Sequence, residues 1–406
     1  MQYLFTERAH LMCPHMCFGV AMAVKRPYEE KRIRDAISQL SAAHPFLNAL
    51  MGYEEDKNAY YYRVTDQSKV ELLVNDQEIS GMDAPEIMGT YRILTERDWN
   101  LFEEGMLKIA VWRMNDRTCF LLVFHHLLAD GRGALHLAEE LADCYALGKQ
   151  PEYAPEQLIT PKDLPENSRM PFISRFLVER ANKNWRKENH TVSYAEYHAF
   201  ADGFLKQDAV RYSVTRFDSE ELNAIRQKCR ENKVTVNDWL LAKMALEDRA
   251  EKIVAACDLR DRFGFYRKGA LGNYSTAFSI EVKAKEKDLF ALAKAAHEQV
   301  QKKISDPKAL FLVLQCYASL DPGLLDAALI ACRGGYPSKA GKFIGGMFFG
   351  FGAAAGHSVT NLGKIESESM EAAFFIPPAS PAMGKTQGAL TVNGVLTVCS
   401  CERASA

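Results

Sequence analysis

The stretch VFHHLLADGRG, Val123 to Gly133, decides how this chain is read. An apolar run of strand character, TCFLLVF, ends on two adjacent histidines. Neighbouring residues on a strand point to opposite faces. His125 and His126 therefore diverge: one faces a cleft and the other packs inward. Asp130 follows His126 by four residues and returns toward the same place if the chain turns. Gly131 and Gly133 permit that turn and a close approach of the next helix. A histidine near its ordinary pKa is a competent general base near neutral pH. A buried aspartate beside it can hold the loop by accepting from a backbone N–H or a basic side chain. Paired histidines at a strand end are commonly polar surface groups. Here they close a very apolar strand, and D-G follows at once.

Outward from this stretch, helical and strand periods alternate. YEEKRIRDAISQLSAAHPFL puts Ile33, Ala36, Ile37 and Leu40 on one face of an amphipathic helix. CFGVAMAV (Cys17–Val24), NAYYYRV (Asn58–Val64), KVELLVN (Lys69–Asn75) and LKIAVWRM read as strands. GALHLAEELADCYALGK reads as a helix closed by Gly148. Pro151–Pro171 carries five prolines and reads as a crossover, with a further polar stretch running to Gly203. A second mixed unit follows. AVRYSVTRFD is a strand. SEELNAIRQKCRENK is a helix with Ser219 as its expected N-cap; its capping box is incomplete, because Leu222 stands where Glu or Gln is needed. VTVNDWLLAKMALEDRA is a helix capped by Thr235 or Asn237. EKIVAACDL and YSTAFSIEVK are strands, and GALTVNGVLTVCSCE is a hairpin turning at Asn393-Gly394. The expected division is a 1–165 N-terminal lobe carrying the histidine loop, a 166–205 crossover and a 206–406 C-terminal lobe.

H-H-x-x-x-D-G resembles the signature of the chloramphenicol acetyltransferase-like superfamily. That group includes peptide-synthetase condensation domains, carnitine and alcohol acyltransferases and polyketide-associated acyltransferases. HPFLNAL (His44–Leu50) resembles the condensation-domain block R-H-x-x-L-R, and VTVNDWLLAKMA resembles T-V-N-D-x-L-L-A-A. DLR (Asp258–Arg260) with LGNYSTAFSIEV (Leu271–Val282), and then SVTNLGKI (Ser358–Ile365), resemble later blocks in the family's order. The resemblance implies an α+β fold: two chloramphenicol-acetyltransferase-like αβ-sandwich lobes in a V-shaped pseudo-dimer with a central tunnel. It implies that His126 is the general base, while His125, Asp130 and Gly131 shape the loop. It places Asn273 and Asn361 near the tunnel as candidate substrate or oxyanion contacts. The aspartate's family partner is an arginine, but Ala43 and Asn48 stand at the two arginine positions of the block. Arg260, Arg132 and Asn48 are the candidate replacements. The D-F-G-W-G motif of plant acyltransferases is absent, with PPASPAMGKTQG near its place.

The resemblance further implies acyl transfer from a thioester to an alcohol or amine. Acyl-CoA is the expected co-substrate, since the chain ends with the fold; an acyl or peptidyl carrier protein is the alternative donor. A catalytically inactive scaffold of the same fold is a second class of reading, suggested by the missing arginine. No bound cofactor and no metal are expected. His10, Cys13, His15 and Cys17 lie close together, but their spacing matches no zinc pattern. The net charge of −2 gives no basic excess pointing to nucleic acid or an anionic membrane. The apolar stretch FIGGMFFGFGAAAG (Phe343–Gly356) is too short to span a bilayer, and its glycines are expected to permit close packing. Ten cysteines without a C-x-x-C pair, and no signal-peptide pattern, suit a reduced, cytoplasmic protein, expected to be a monomer.

Overall fold

The computed structural model describes residues 2–189, 191–282, 288–353 and 355–403. The first half runs β1 (Gln2–Tyr3), α1 (Arg8–Leu11), β2 (Cys17–Val24), α2 (Glu30–Ala43), β3 (Ala49–Glu54), β4 (Ala59–Val64), β5 (Glu71–Glu78), α3 (Pro85–Thr95), β6 (Leu107–Met114), β7 (Arg117–His125) and α4 (Gly131–Leu147). Two helices follow, α5 (Phe172–Glu188) and α6 (Tyr194–Gln207). The second half runs β8 (Val210–Phe217), α7 (Ser219–Glu231), α8 (Val236–Glu247), β9 (Lys252–Asp258), β10 (Ser275–Glu281) and α9 (Leu289–Ser305). It continues through α10 (Pro307–Leu310), α11 (Leu312–Ser319), α12 (Pro322–Cys332) and α13 (Lys339–Met347) to β11 (Gly356–Ile365), β12 (Met370–Ile376), β13 (Met383–Val392) and β14 (Val395–Arg403). The class is α+β, as expected.

The sheets explain the apolar runs. A five-stranded sheet has the order β12-β2-β7-β6-β5. β2 is buried at every position and β7 at all but its first, so both read as continuous hydrophobic segments rather than as alternating ones. A six-stranded sheet has the order β10-β9-β11-β13-β14-β8, and a small third sheet the order β1-β4-β3. β12 belongs by sequence to the second half but pairs with β2, Phe375 opposite Val20 and Ile376 opposite Gly19. It covers an edge that would otherwise present unpaired backbone groups. The larger core likewise mixes the halves: Phe18, Val20 and Leu137 share it with Leu362, Phe375, Leu390 and Cys399. A second core gathers Trp239, Leu240, Leu292, Val359 and Val398.

Two local readings change, and the others hold. The segment expected as a polar crossover holds α5 and α6. Ser193 caps α6 through a complete capping box with Glu196, the S-x-x-E pattern that marks a helix start. The cap of α7 is Asp218, not Ser219: its side chain accepts from the Glu220 and Glu221 N–H groups, and Glu221 closes the box. Counted from Asp218, the residue three positions on is Glu221, so the box is complete. Thr235 caps α8, with Asp238 returning the bond. The β13–β14 hairpin turns at Asn393 and Gly394, both at positive φ as a type I′ turn requires. Gly345 lets α13 lie against α12, since a Cβ there would stand 2.4 Å from the Ala328 carbonyl oxygen.

Candidate active site

β7 carries the site to its place. From Thr118 to Asp130 every residue is buried except His126, which keeps part of its surface exposed. His125 pairs opposite Cys17 and is buried. Its Nδ1 accepts from the Leu127 N–H at 3.3 Å, and its backbone carbonyl accepts from the Leu128 N–H, so this residue folds the turn. Burial, with the neighbouring His126, pushes its pKa down to about 3, and it is neutral.

His126 is held from three sides. Asn273 donates its amide N–H to the His126 carbonyl at 2.8 Å. Its amide oxygen then faces the His126 Nδ1, also at 2.8 Å, and accepts the proton there. That bond fixes the neutral tautomer: Nδ1 carries hydrogen, and Nε2 keeps its lone pair. Phe18 meets the ring edge-on at 5.1 Å. His10, from α1, stacks on it with centroids 4.2 Å apart and planes 24° apart. Burial lowers the pKa of His126, against opposing pulls from Asp130 and Asn273. The ring is thus unprotonated near neutral pH.

Asp130 is buried, and its carboxylate is engaged within the protein. It caps α4, and its Oδ1 accepts from the Gly133 N–H at 2.9 Å. Arg260 grips it with two bonds, Nη2 to Oδ1 at 2.7 Å and Nη1 to Oδ2 at 3.1 Å. The Tyr274 N–H completes the set on Oδ2 at 2.9 Å. Burial alone would raise this carboxyl; the Arg260 charge and the bonds outweigh it and hold the pKa below its usual value. Arg260 lies 5.3 Å from the centroids of both Tyr266 and Tyr274. Of the three candidate replacements, Arg260 therefore takes the arginine's place. Arg132 instead donates to the Leu362 carbonyl, and Asn48 to that of Ser41.

Other expected residues fall differently. Gly131 does not occupy the left-handed region; a Cβ there would stand 2.6 Å from the end of the Leu362 side chain, which would have to shift. Asn273 was expected as a substrate or oxyanion contact, but both ends of its amide are engaged on His126. The Asn361 side chain caps its own turn by accepting from the Gly363 N–H at 2.9 Å. The four N-terminal cysteines and histidines do not converge: His10 meets His126, His15 pairs with Asp208 at 2.9 Å, and Cys13 and Cys17 are buried thiols. The stack of His10 went unread, because nothing in its sequence spacing shows α1 returning to the end of β7. A cavity of about 520 Å³ lies elsewhere, lined by Met82, Pro85, Tyr212, Arg216, Phe374 and Thr397. Phe374 lines it, while its neighbour Phe375 packs against Phe18.

Comparison with known proteins points one way. The sequence pattern of the family described as Condensation domain matches residues 1–247. That span contains His126 and Asp130 but stops short of Arg260 and Asn273. Bacitracin synthase 3 of Bacillus licheniformis is 24% identical over 241 residues, 58% of this chain but 4% of that protein's length. Nonribosomal peptide synthetase 5 of Gibberella zeae is 28% identical over 116 residues, 29% of this chain and 1% of that protein. Among solved structures, the epimerization domain from the third module of tyrocidine synthetase B superposes with a TM-score of 0.59 at 15% identity, covering 98% of this chain and 87% of that one. The first condensation domain of the calcium-dependent antibiotic synthetase gives 0.60 at 13%, covering 100% and 91%. Polyketide synthase associated protein 5 of Mycobacterium tuberculosis gives 0.58 at 14%, covering 100% and 93%. At these identities the structural likeness establishes the fold.

Proposed function

The chain belongs to the condensation-domain family, and from that premise we propose that it transfers an acyl group from a carrier-bound thioester to an amine or hydroxyl. The observation that carries the reading is the state of His126: partly exposed at the end of a buried strand, with Nδ1 tied to Asn273 and Nε2 without a hydrogen-bond partner among the described residues.

Nε2 takes the proton of the nucleophile as its nitrogen or oxygen forms a bond to the thioester carbonyl carbon. The carbonyl electrons move to oxygen, giving a tetrahedral oxyanion. Collapse breaks the C–S bond, and the imidazolium returns its proton to the departing thiolate. No covalent enzyme intermediate is required, and the base ends as it began. Asp130 takes no part in proton transfer, since its oxygens are filled by Gly133, Tyr274 and Arg260. Its role is to fix the loop that presents His126. Asn273 positions the base and selects its tautomer.

The test offers the purified chain an acylated carrier protein or an acyl-CoA, with a panel of amines and alcohols, and follows the product by mass spectrometry. Carrier-dependent turnover is expected. His126→Ala should lower it by roughly 10²- to 10⁴-fold, the span of general-base contributions. Unchanged turnover in that variant would remove His126 from the mechanism. Turnover with acyl-CoA but not with a carrier would reassign the donor. No turnover with either would leave a binding or scaffold role.

A further inference from the structure

We propose that His10 is a positioning residue for the base, its imidazole stacked flat on His126 to steady that ring and to stabilise the charge it gains during transfer. The inference rests on the reading of His126 as the base. Three observations support it. The rings are 4.2 Å apart and nearly parallel, the geometry of a face-to-face contact. Both residues keep a small exposed part, although Leu11 to Val24 on one side and Thr118 to His125 on the other are buried. The His10 ring has no hydrogen-bond partner among the described residues, so its face is the part of it that is engaged.

The charged and titratable groups around His126 decide which ring takes the proton. Asp130, at the start of α4, favours a proton on His126. His125 is buried and neutral behind it. Glu7, fully buried on the approach to α1, lies against the Asn273 backbone, and burial raises its carboxyl toward the neutral form. His10 is held well below its ordinary pKa by burial and by repulsion from His126 and His125. When His126 becomes an imidazolium, His10 thus remains neutral and offers it an aromatic face. A neutral ring against a partly desolvated cation is stabilising.

Titration of His126 by NMR in the full chain, its ring signal assigned with His126→Gln, tests this without any substrate. His10→Ala should lower the His126 pKa by about one unit, the equivalent of a roughly tenfold loss in imidazolium stability. His10→Phe keeps an aromatic face and should restore the wild-type titration. In the carrier-dependent assay, His10→Ala should lower kcat on the order of tenfold and move the acid limb of the rate profile to lower pH. His10→Phe should stay within about threefold of wild type. An unchanged His126 titration in His10→Ala would overturn the proposal. So would a His10→Phe variant that shifts as far as the alanine. If instead His126→Ala retains turnover, the functional reading fails while the titration still decides the stack.

Discussion

Arg260 and Asp130 form a pair with side chains about 10% and 3% exposed, so each depends on the other. Removing the cation leaves a buried carboxylate with only backbone donors. Arg260→Ala should lower stability by about 3–5 kcal/mol at neutral pH, measured by urea denaturation. Arg260→Lys should recover part of that, because an ammonium cannot make the parallel pair of bonds. The folded pKa of Asp130 lies below its unfolded value. Its contribution is complete above the unfolded value, near 4, and is lost as pH falls through the folded one. The penalty of Arg260→Ala should accordingly shrink in acid. Asn273→Asp tests the other restraint. A carboxylate beside Nδ1 favours the imidazolium, so the acid limb of the rate profile should move up by roughly one to three pH units. The histidines, the aspartate and the three candidate partners were all legible in the sequence. Which partner reaches Asp130 was not, because 130 residues of chain separate it from Arg260 and spacing says nothing about approach at that range.

Helix starts and helix contacts are where element-level reading is testable. Asp218→Ala removes a side chain that accepts from two backbone N–H groups and should destabilise by about 1 kcal/mol. Ser219→Ala, just inside the helix, should change stability by less than about 0.5 kcal/mol. The two glycines near the end of α13 should answer with opposite sign. A Cβ at Gly345 meets the α12 backbone, so Gly345→Ala should destabilise by about 1–3 kcal/mol. A Cβ at Gly346 meets nothing within 4 Å, and Gly346→Ala should stabilise by up to about 1 kcal/mol. Thermal and urea denaturation measure all four. Close packing by these glycines was readable from their density. Which glycine makes the contact depends on the rotation of α13 against its neighbour, and the sequence does not fix that.

At the scale of the whole molecule, alternation of helix and strand in two successive units could be read directly. The exchange between them could not. MEAAFFI is a short apolar run that periodicity assigns to no particular sheet, and its pairing with β2 is set by tertiary contacts. The larger core, drawn from both halves, and the buried Arg8–Asp326 pair joining α1 to α12 give a concrete expectation. Urea unfolding followed by tryptophan fluorescence and by far-UV circular dichroism should give coincident transitions. Two separated transitions would show that the halves hold themselves together independently.

The position of β12 also imposes an order on biosynthesis. A ribosome delivers β2 early, and its outer edge finds its neighbour only after Met370–Ile376 has been made. Throughout that interval the nascent chain carries an apolar strand with a row of open backbone donors and acceptors, a template for association with any other extended chain. Translation speed and chaperone supply should therefore govern the yield of soluble protein more strongly than equilibrium stability does.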